Sequence, residues 1–170
     1  MKKYIRSLVL IIALFCAISL FSACNNEQGD DNSAMTEYYI KHNGMKIELG
    51  KDAEPILAAM GTPKDVTSLG DCGGFGAQTR YTYDDFVLYT VKNDSGETVD
   101  QIYLTSDIIE TPKGICVGDS DDEVLEAYGE PVIKNDKKIE YESGSLVLKF
   151  GLEDGAVKSI NFIRITASAN

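Results

Sequence analysis

The sequence predicts an α+β protein in which two tandem repeats, each a helix followed by three strands, form one antiparallel sheet with the helices on one face. Two observations predict this architecture. Six residues recur 68 positions later (50 to 118), and segments with strand-like alternation, joined by tight turns, follow each copy. The first set is Gly50, Ile56, Leu57, Ala59, Gly61 and Pro63, and the second is Gly118, Val124, Leu125, Ala127, Gly129 and Pro131. Tight turns between successive strands require antiparallel pairing.

Each predicted repeat begins with a short helix, over residues 52–60 and 120–128. In the second, Ser120 and Glu123 have the spacing of a capping box, in which each side chain bonds the free backbone N–H of the other end. Gly129 then supplies the left-handed residue that ends a helix.

The rest of each repeat is predicted as strand, because aromatic and β-branched residues alternate with polar ones between turn residues. The predicted strands are 79–83, 86–92 and 98–104 in the first repeat and 138–142, 145–150 and 156–165 in the second. An additional hairpin, 38–42 with 45–49 around Asn43-Gly44, precedes the first repeat.

The N-terminal segment indicates export. Three basic residues precede an apolar run over 8–18, which is shorter than the roughly 20 residues that a transmembrane helix needs. The stretch Leu20-Phe21-Ser22-Ala23-Cys24 that follows resembles the lipobox of bacterial lipoproteins. This resemblance implies removal of residues 1–23 and a lipid on Cys24 that holds the protein on the outer side of the cell membrane. An ordinary secretory cut after Ala23 is the alternative.

The expected domain organisation follows from these assignments. Residues 24–36 contain the lipidated cysteine and a polar, acidic stretch that we expect to be a flexible tether. Residues 37–112 form the first repeat with its hairpin, and residues 113–166 form the second.

Charge excludes some partners. The 170-residue chain has a formal net charge of −11, and the signal segment holds three basic residues and no acidic one, so the mature chain is more acidic still. Phosphate backbones and anionic lipid headgroups repel such a chain. We therefore expect no nucleic-acid partner, and membrane contact through the lipid on Cys24 alone.

Two cysteines remain for the folded part of the chain. Cys16 leaves with the signal segment and Cys24 takes the lipid, which leaves Cys72 and Cys116. A pair of cysteines in an exported chain favours a disulfide. The sequence has no Cys-x-x-Cys motif, and it indicates no metal site and no cofactor.

Three short motifs have simpler structural explanations than catalytic ones. The acidic run 119–123 has Val124 where a calcium loop needs glycine, and it suits a helix start. The glycine-rich segment 70–76 leads into a strand and not into a helix, so a loop is favoured over a phosphate cradle, although a ligand loop stays open. Asp84-Asp85 is typical of a turn, and the single histidine of the mature chain, His42, has no nucleophile near it.

The repeated unit Gly-x5-Ile/Val-Leu-x-Ala-x-Gly-x-Pro, followed by three strands, resembles the β-lactamase-inhibitor-protein-like fold and the small SmpA/OmlA-type envelope lipoproteins. A closer resemblance, to uncharacterised lipoproteins of Gram-positive anaerobes, is carried by residues 72–76, 81–83 and 111–115. The resemblance spans about residues 37–165 and implies the architecture. Since none of the binding loops of that fold is matched here, it does not imply inhibition of a β-lactamase.

These observations favour a membrane-anchored binding module over an enzyme. The expected contact surface is the sheet face away from the helices, together with the 70–77 loop, and the candidate residues are Phe75, Tyr81, Tyr83 and Tyr89. Tyrosine suits surfaces that are partly apolar and partly wet, although core and cross-strand packing is the commoner role of a strand tyrosine. The acidic charge suggests a basic protein partner. A scaffold role in the envelope, and a hydrolase or metal-dependent enzyme with a site assembled from distant residues, are the alternatives.

Overall fold

The computed structural model describes residues 38–71 and 76–165, which form ten strands and two short helices. In chain order, the elements are β1 (Tyr39–His42), β2 (Met45–Glu48), α1 (Ala53–Met60), β3 (Asp65–Asp71), β4 (Ala77–Thr82), β5 (Phe86–Asn93), β6 (Gly96–Leu104), α2 (Asp121–Tyr128), β7 (Ile133–Asn135), β8 (Lys138–Ser143), β9 (Leu146–Glu153) and β10 (Ala156–Arg164). The predicted signal segment, the lipidation site Cys24 and the tether lie outside the described residues.

Strands β3 to β10 form one eight-stranded antiparallel sheet with the order β3-β4-β5-β6-β10-β9-β8-β7. Consecutive strands within 65–104 and within 133–164 are neighbours, and β6 pairs with β10 at the middle. The two edges differ, because β3 has seven residues and β7 has three. Strands β1 and β2 form a separate two-stranded hairpin.

The fold class predicted from the sequence is wrong. The protein is mostly β, and it is not built from helix-plus-three-strand repeats: the segments 65–71 and 133–135, where no strand was predicted, are strands, and each helix has only eight residues. The sequence does not predict β3 because six of its seven residues are exposed, and the strand therefore shows no alternation of apolar and polar residues. Strand β7 has three residues and is too short for a period to show.

The two helices begin in the same way at equivalent places on the sheet. Before α1, the Gly50 N–H donates to the Val99 carbonyl at 2.7 Å, and the Val99 N–H donates to the Lys51 carbonyl at 2.9 Å. Before α2, Gly118 and Asp119 make the same two bonds with Val157, both at 2.8 Å. Each chain segment is therefore joined to an inner strand before it turns into its helix.

Different residues cap the two helices. The Asp52 carboxylate accepts the Glu54 N–H at 3.1 Å at the start of α1. At the start of α2, the Ser120 hydroxyl accepts the Glu123 N–H and the Glu123 carboxylate accepts the Ser120 N–H, which is the capping box that the sequence predicts. Both helices lie within one residue of their predicted positions.

A row of apolar side chains crosses the sheet on the face that carries the helices. Paired residues share a face, so the register joins Tyr81, Leu88, Ile102, Phe162, Leu148 and Tyr141 on six successive strands. These residues belong to, or pack against, one core cluster that also contains Ala53 and Ile56 of α1 and Val124 of α2. Both helices therefore cover the same face. Neither helix is long and apolar enough to span a membrane, and the described residues contain no other α-helix.

The β1–β2 hairpin also contributes to this core. Ile40 and Ile47 face each other across the hairpin and are fully buried. The His42 ring lies edge-on to the buried Phe86 ring, with 5.2 Å between their centroids. The hairpin is thus a part of the core, where each fully buried isoleucine contributes about 1.5–3 kcal/mol.

Candidate functional site

The face of the sheet opposite the helices carries two continuous rows of side chains. They follow from the register, because residues that alternate with the core row point to the other side. The first row, from edge to edge, is Asp65, Thr82, Val87, Tyr103, Asn161, Lys149, Glu140 and Ile133. The second is Thr67, Arg80, Tyr89, Gln101, Ile163, Val147 and Glu142. We call these fifteen side chains the open face.

Most open-face side chains are half-buried by their neighbours and half-exposed to solvent. Of the fifteen, only Val147 is buried, and only Asp65 and Glu142 are exposed. Tyr89 and Tyr103 lie on the adjacent strands β5 and β6 as diagonal neighbours, since Tyr89 faces Gln101 and Val87 faces Tyr103. The open face thus presents two half-exposed tyrosines near its middle. Val87 lies beside them, on the same strand as Tyr89 and directly opposite Tyr103.

Polar contacts hold the β3 end of the open face. The Arg80 guanidinium donates to the Asp65 carboxylate at 3.3 Å and to the Thr67 hydroxyl at 3.0 Å, and that hydroxyl donates to Asp65 at 2.7 Å. The hydrogen bond from Thr67, and then that from Arg80, lowers the pKa of the Asp65 carboxyl below its usual value. Asp65 is thus ionised under ordinary conditions and orients Arg80 next to Tyr89, its partner on β5.

Two further polar pairs order the middle and the β7 end. The Gln101 amide donates to the Asn161 amide oxygen at 2.9 Å across the central β6–β10 pair. Lys138 pairs with Glu140 on the same side of β8. Side chains that are bonded to each other lose less conformational entropy when a partner arrives, so such a surface is suited to binding.

The charge of the open face differs from that of the chain. The open face has three acidic residues, Asp65, Glu140 and Glu142, and two basic ones, Arg80 and Lys149, and the neighbouring Lys138 pairs with Glu140. The whole chain has a net charge of −11. The acidic excess therefore lies elsewhere, and the open face is a nearly neutral area on an acidic protein.

The candidate tyrosines from the sequence are divided between the two faces. Tyr89 lies on the open face, whereas Tyr81 pairs with the buried Leu88 and packs against the core on the helix side. Tyr83 also packs against the core, where its ring stacks on Phe86 at 4.9 Å. Phe75 lies outside the described residues. The sequence analysis did not select Tyr103 and Arg80. Alternation of side chains along the correctly paired strands places both on the open face.

Tyr81 has a polar role on its side of the sheet. Its hydroxyl donates to the Glu97 carboxylate at 3.2 Å. Burial, and next the negative charge of Glu97, raises the pKa of the Tyr81 hydroxyl, so the group remains a hydrogen-bond donor across the physiological range.

The predicted Cys72–Cys116 disulfide stays a prediction, because Cys72 lies outside the described residues. The Cys116 thiol is free in the structure and lies 3.4 Å from an Asp119 carboxylate oxygen, to which it donates. Burial and then Asp119 raise the pKa of this thiol to about 11. As it stands, Cys116 is a poor nucleophile at neutral pH.

The described residues hold no group of three or more histidine, cysteine, aspartate or glutamate side chains arranged to bind a metal ion. Of the single residues singled out for possible chemistry, Asp84 and Asp85 lie in the turn before β5, where Asp84 pairs with Lys64 and Asp85 accepts the Ser106 hydroxyl at 3.0 Å. Both carboxylates are thus engaged in turn contacts.

Comparisons with known proteins add little to this description. No family model matches the chain, and no curated protein matches it. Among solved structures, the chain is similar to a DUF4309 family protein, YjgB of Bacillus subtilis, with 15% sequence identity and a TM-score of 0.46, over 79% of this chain and 92% of that one. A likeness of this size establishes neither a shared fold nor a shared function.

Proposed function

We propose that this protein is a lipid-anchored, extracytoplasmic binding protein that presents the open face of its sheet to a protein partner. The observation that supports this proposal most is the pair of half-exposed tyrosines, Tyr89 and Tyr103, on a nearly neutral face of an otherwise acidic molecule. Tyrosine and arginine are enriched where proteins meet, because each combines a large contact area with a polar end.

The arrangement suits one kind of interface. Val87 and Ile163 supply apolar area beside the tyrosines, and Arg80 at one end and Lys149 at the other supply polar contacts around it. An apolar centre with a polar rim is the usual anatomy of a specific protein interface. The acidic surface elsewhere repels acidic proteins, so a basic or neutral partner fits best.

The anchor is a separate part of the proposal. A diacylated Cys24 would supply the two acyl chains that stable membrane attachment needs. Cys24→Ala should release the protein from membranes or leave it unprocessed, which fractionation and intact mass would detect. If Cys24→Ala fractionates with membranes at the same mature mass as the parent, the lipid anchor does not exist.

The partner can be sought by a pull-down from detergent-solubilised envelope with the full-length protein as bait. For a captured partner, Tyr89→Ala and Tyr103→Ala should each weaken binding by more than tenfold, which is about 1.4 kcal/mol. Tyr39→Ala is the matched control, since Tyr39 is a half-exposed tyrosine on β1, outside the open face. Equal losses in all three variants, or no loss in the two open-face variants, would place the contact elsewhere.

A further inference from the structure

The two edges of the eight-stranded sheet differ in how they are protected. Short length, lysine and proline are common devices that keep a further strand from adding to an edge. Strand β7 has two of these devices, because it has only three residues and one of them is Lys134. Strand β3 has seven residues and contains neither lysine nor proline. The protein therefore protects one edge of the sheet and lacks these three devices at the other.

The backbone of β3 can pair with a strand on its outer side. In an edge strand, every second residue directs its N–H and C=O groups away from the sheet. Strand β4 pairs with one side of β3, and among the described residues no strand pairs with the other side. Six of the seven residues of β3 are exposed. An added strand can therefore reach the outer N–H and C=O groups without a rearrangement of the sheet.

Apolar side chains also lie on this edge. Five large apolar side chains of the described residues are exposed, and two of them, Val66 and Leu69, belong to β3. Val66 is 55% exposed and pairs with Tyr81, which packs against the core. A strand added beside β3 would place a side chain next to Val66 on the same face of the sheet and cover it. The edge thus offers apolar area in addition to backbone groups.

Both ends of β3 are negatively charged. Asp65 bonds Thr67 and Arg80, and its side chain is still 55% exposed. Asp71 is exposed and accepts the Gly76 N–H at 3.3 Å. The strand itself contains no basic residue. A second copy of β3 would bring like charges to this edge, whereas a segment with lysine or arginine near each end would bring opposite charges.

An irregularity in β3 sets the length of the segment that fits. The register with β4 shifts between Ser68 and Gly70, so Leu69 has no partner and six residues of β4 pair with the other six of β3. Paired residues share a face of the sheet. A regular strand on the outer side therefore matches β3 on both sides of this bulge only if it also leaves Leu69 unpaired. The edge thus fits a segment of six residues, as it does on the β4 side.

We propose that the outer edge of β3 binds an extended segment of another protein as a further antiparallel strand, with one basic residue opposite Asp65 and another opposite Asp71. Backbone hydrogen bonds to β3 supply affinity, and Val66 supplies an apolar contact. The two aspartates select a basic segment over a second copy of this chain. The site does not rest on the function proposed above, because Tyr89 and Tyr103 lie on β5 and β6, away from the edge.

The test is calorimetric titration of the full-length protein in detergent with a capped hexapeptide, Lys-Thr-Thr-Thr-Val-Lys, whose valine falls opposite Val66. Two control peptides separate charge from strand pairing. Glu-Thr-Thr-Thr-Val-Glu reverses the charge, and Lys-Thr-Pro-Pro-Val-Lys keeps the charge but lacks two N–H groups that a paired strand needs. Each control should bind at least tenfold more weakly than the lysine peptide. Failure of the lysine peptide to bind more tightly than both controls overturns the proposal.

Hydrogen exchange measured by mass spectrometry locates the bound peptide. In the free protein, the outward-facing amides of residues 65–71 should exchange rapidly, because nothing in the proposal covers them. At saturation with the lysine peptide, these amides should exchange at least tenfold more slowly, and those of residues 133–135 should not change. Slow exchange of every amide of β3 before the peptide is added would mean that the edge is already covered, and it would overturn the proposal.

Charge variants distinguish the edge from general acidity. Asp65→Asn combined with Asp71→Asn keeps an acceptor oxygen at both positions, removes two charges and should weaken binding of the lysine peptide at least tenfold. Asp122→Asn combined with Asp136→Asn removes two exposed charges away from β3 and should change the affinity less than twofold. Equal effects of the two double variants would show attraction to the acidic protein as a whole and would overturn the site.

Two single variants complete the test. Ser68→Lys gives the exposed edge the device of β7 and should weaken binding of the lysine peptide at least tenfold. Tyr89→Ala should change the affinity for the peptide less than twofold, which separates this site from the function proposed above. Light scattering of the free protein tests the competing occupant. A dimer that Ser68→Lys disperses would assign the edge to a second copy and overturn the proposal.

Discussion

The two halves of the sheet, residues 52–104 and 120–164, begin and end alike but differ at their outer edges. Each starts with a helix held to an inner strand by the same two backbone bonds, and each ends at a central strand. They differ at the outer edges, where β3 has seven mostly exposed residues and β7 has three. They also differ beside the helix starts, where Lys134 forms an ion pair with Asp121 in the second half and the corresponding residues of the first half, Val66 and Ala53, are uncharged. The inner strands of the two halves are thus alike, and the differences lie at the edges of the sheet.

The largest effect on stability should come from removing a large side chain from the core of either half. Phe86 and Phe150 are both fully buried, with ring contacts to Tyr83 at 4.9 Å and to Tyr128 at 5.5 Å. Phe86→Ala and Phe150→Ala should each lower the free energy of unfolding by about 3–5 kcal/mol. Because both rings belong to one core cluster, urea denaturation should show a single transition by circular dichroism and by tyrosine fluorescence. Two separate transitions would mean that the halves are independent units.

An intermediate effect is expected from the ion pair that joins the halves. Arg164 on β10 lies 3.5 Å from Asp100 on β6, and both side chains are mostly buried. Arg164→Met should lower the free energy of unfolding by about 1–3 kcal/mol at pH 7, because it leaves a buried carboxylate without its counter-charge.

This loss should depend on pH in a defined direction. Burial raises the pKa of Asp100, and Arg164 only partly opposes that. The folded state therefore holds the proton more tightly than the unfolded state, and the stability of Arg164→Met should fall as the pH rises from 3.8 through the raised pKa. Below pH 3.8 the difference from the parent protein should shrink. Denaturation at several pH values measures it, and a loss that stays constant down to pH 3 would contradict this account.

A smaller difference should separate the helix caps. Ser120→Ala and Asp52→Ala should each cost about 1 kcal/mol, and Ser120→Ala should cost more because it also removes a bond to the Glu123 carboxylate. The exposed Ser145, in the turn before β9, supplies a control whose alanine variant should stay within about 0.5 kcal/mol of the parent. A larger loss of stability for Asp52→Ala than for Ser120→Ala would contradict this ranking of the two caps.

The smallest effect on stability is expected at Lys134. Its ion pair with Asp121 is partly exposed, at 40% and 29% of the two side chains, so Lys134→Met should change the free energy of unfolding by less than about 0.5 kcal/mol. A loss of more than 1 kcal/mol would assign the lysine a structural role that the first half lacks.

The sequence predicted the inner elements of this fold well and its edges poorly. Strand β5 was expected at 86–92 and lies at Phe86–Asn93, because half of its side chains enter the core and impose a period of two. Strand β3 has almost no buried side chain, so its backbone pairing with β4 decides its structure and the residue pattern does not. The predicted α+β class is wrong because each half contains one further strand, β3 or β7, with few or no buried side chains.

The candidate site was predictable in kind and not in detail. Both described helices were expected on one side of the sheet, so neither of them covers the other face, and Tyr89 was among the residues expected there. Tyr81 and Tyr83 were also expected on that face, but they pack against the core on the helix side. Only the pairing of β4 with β5, which brings Tyr81 opposite the buried Leu88, shows this for Tyr81. The hydrogen bonds from Tyr81 and Thr90 to Glu97 could not be predicted from the sequence, since they form only through the cross-strand register.

The exposed edge strand β3 has a consequence for solubility. Among the described residues, no strand pairs with the outer edge of β3, which is seven residues long, and an unpaired edge is a template on which another copy can add. In the symmetric antiparallel pairing centred on Ser68, Asp65 of each copy would face Asp71 of the other, so two like-charge contacts oppose the union. The irregular pairing between Ser68 and Gly70 bends the strand near the same point. The aspartates at the two ends of β3 thus oppose fibre-like growth along this edge.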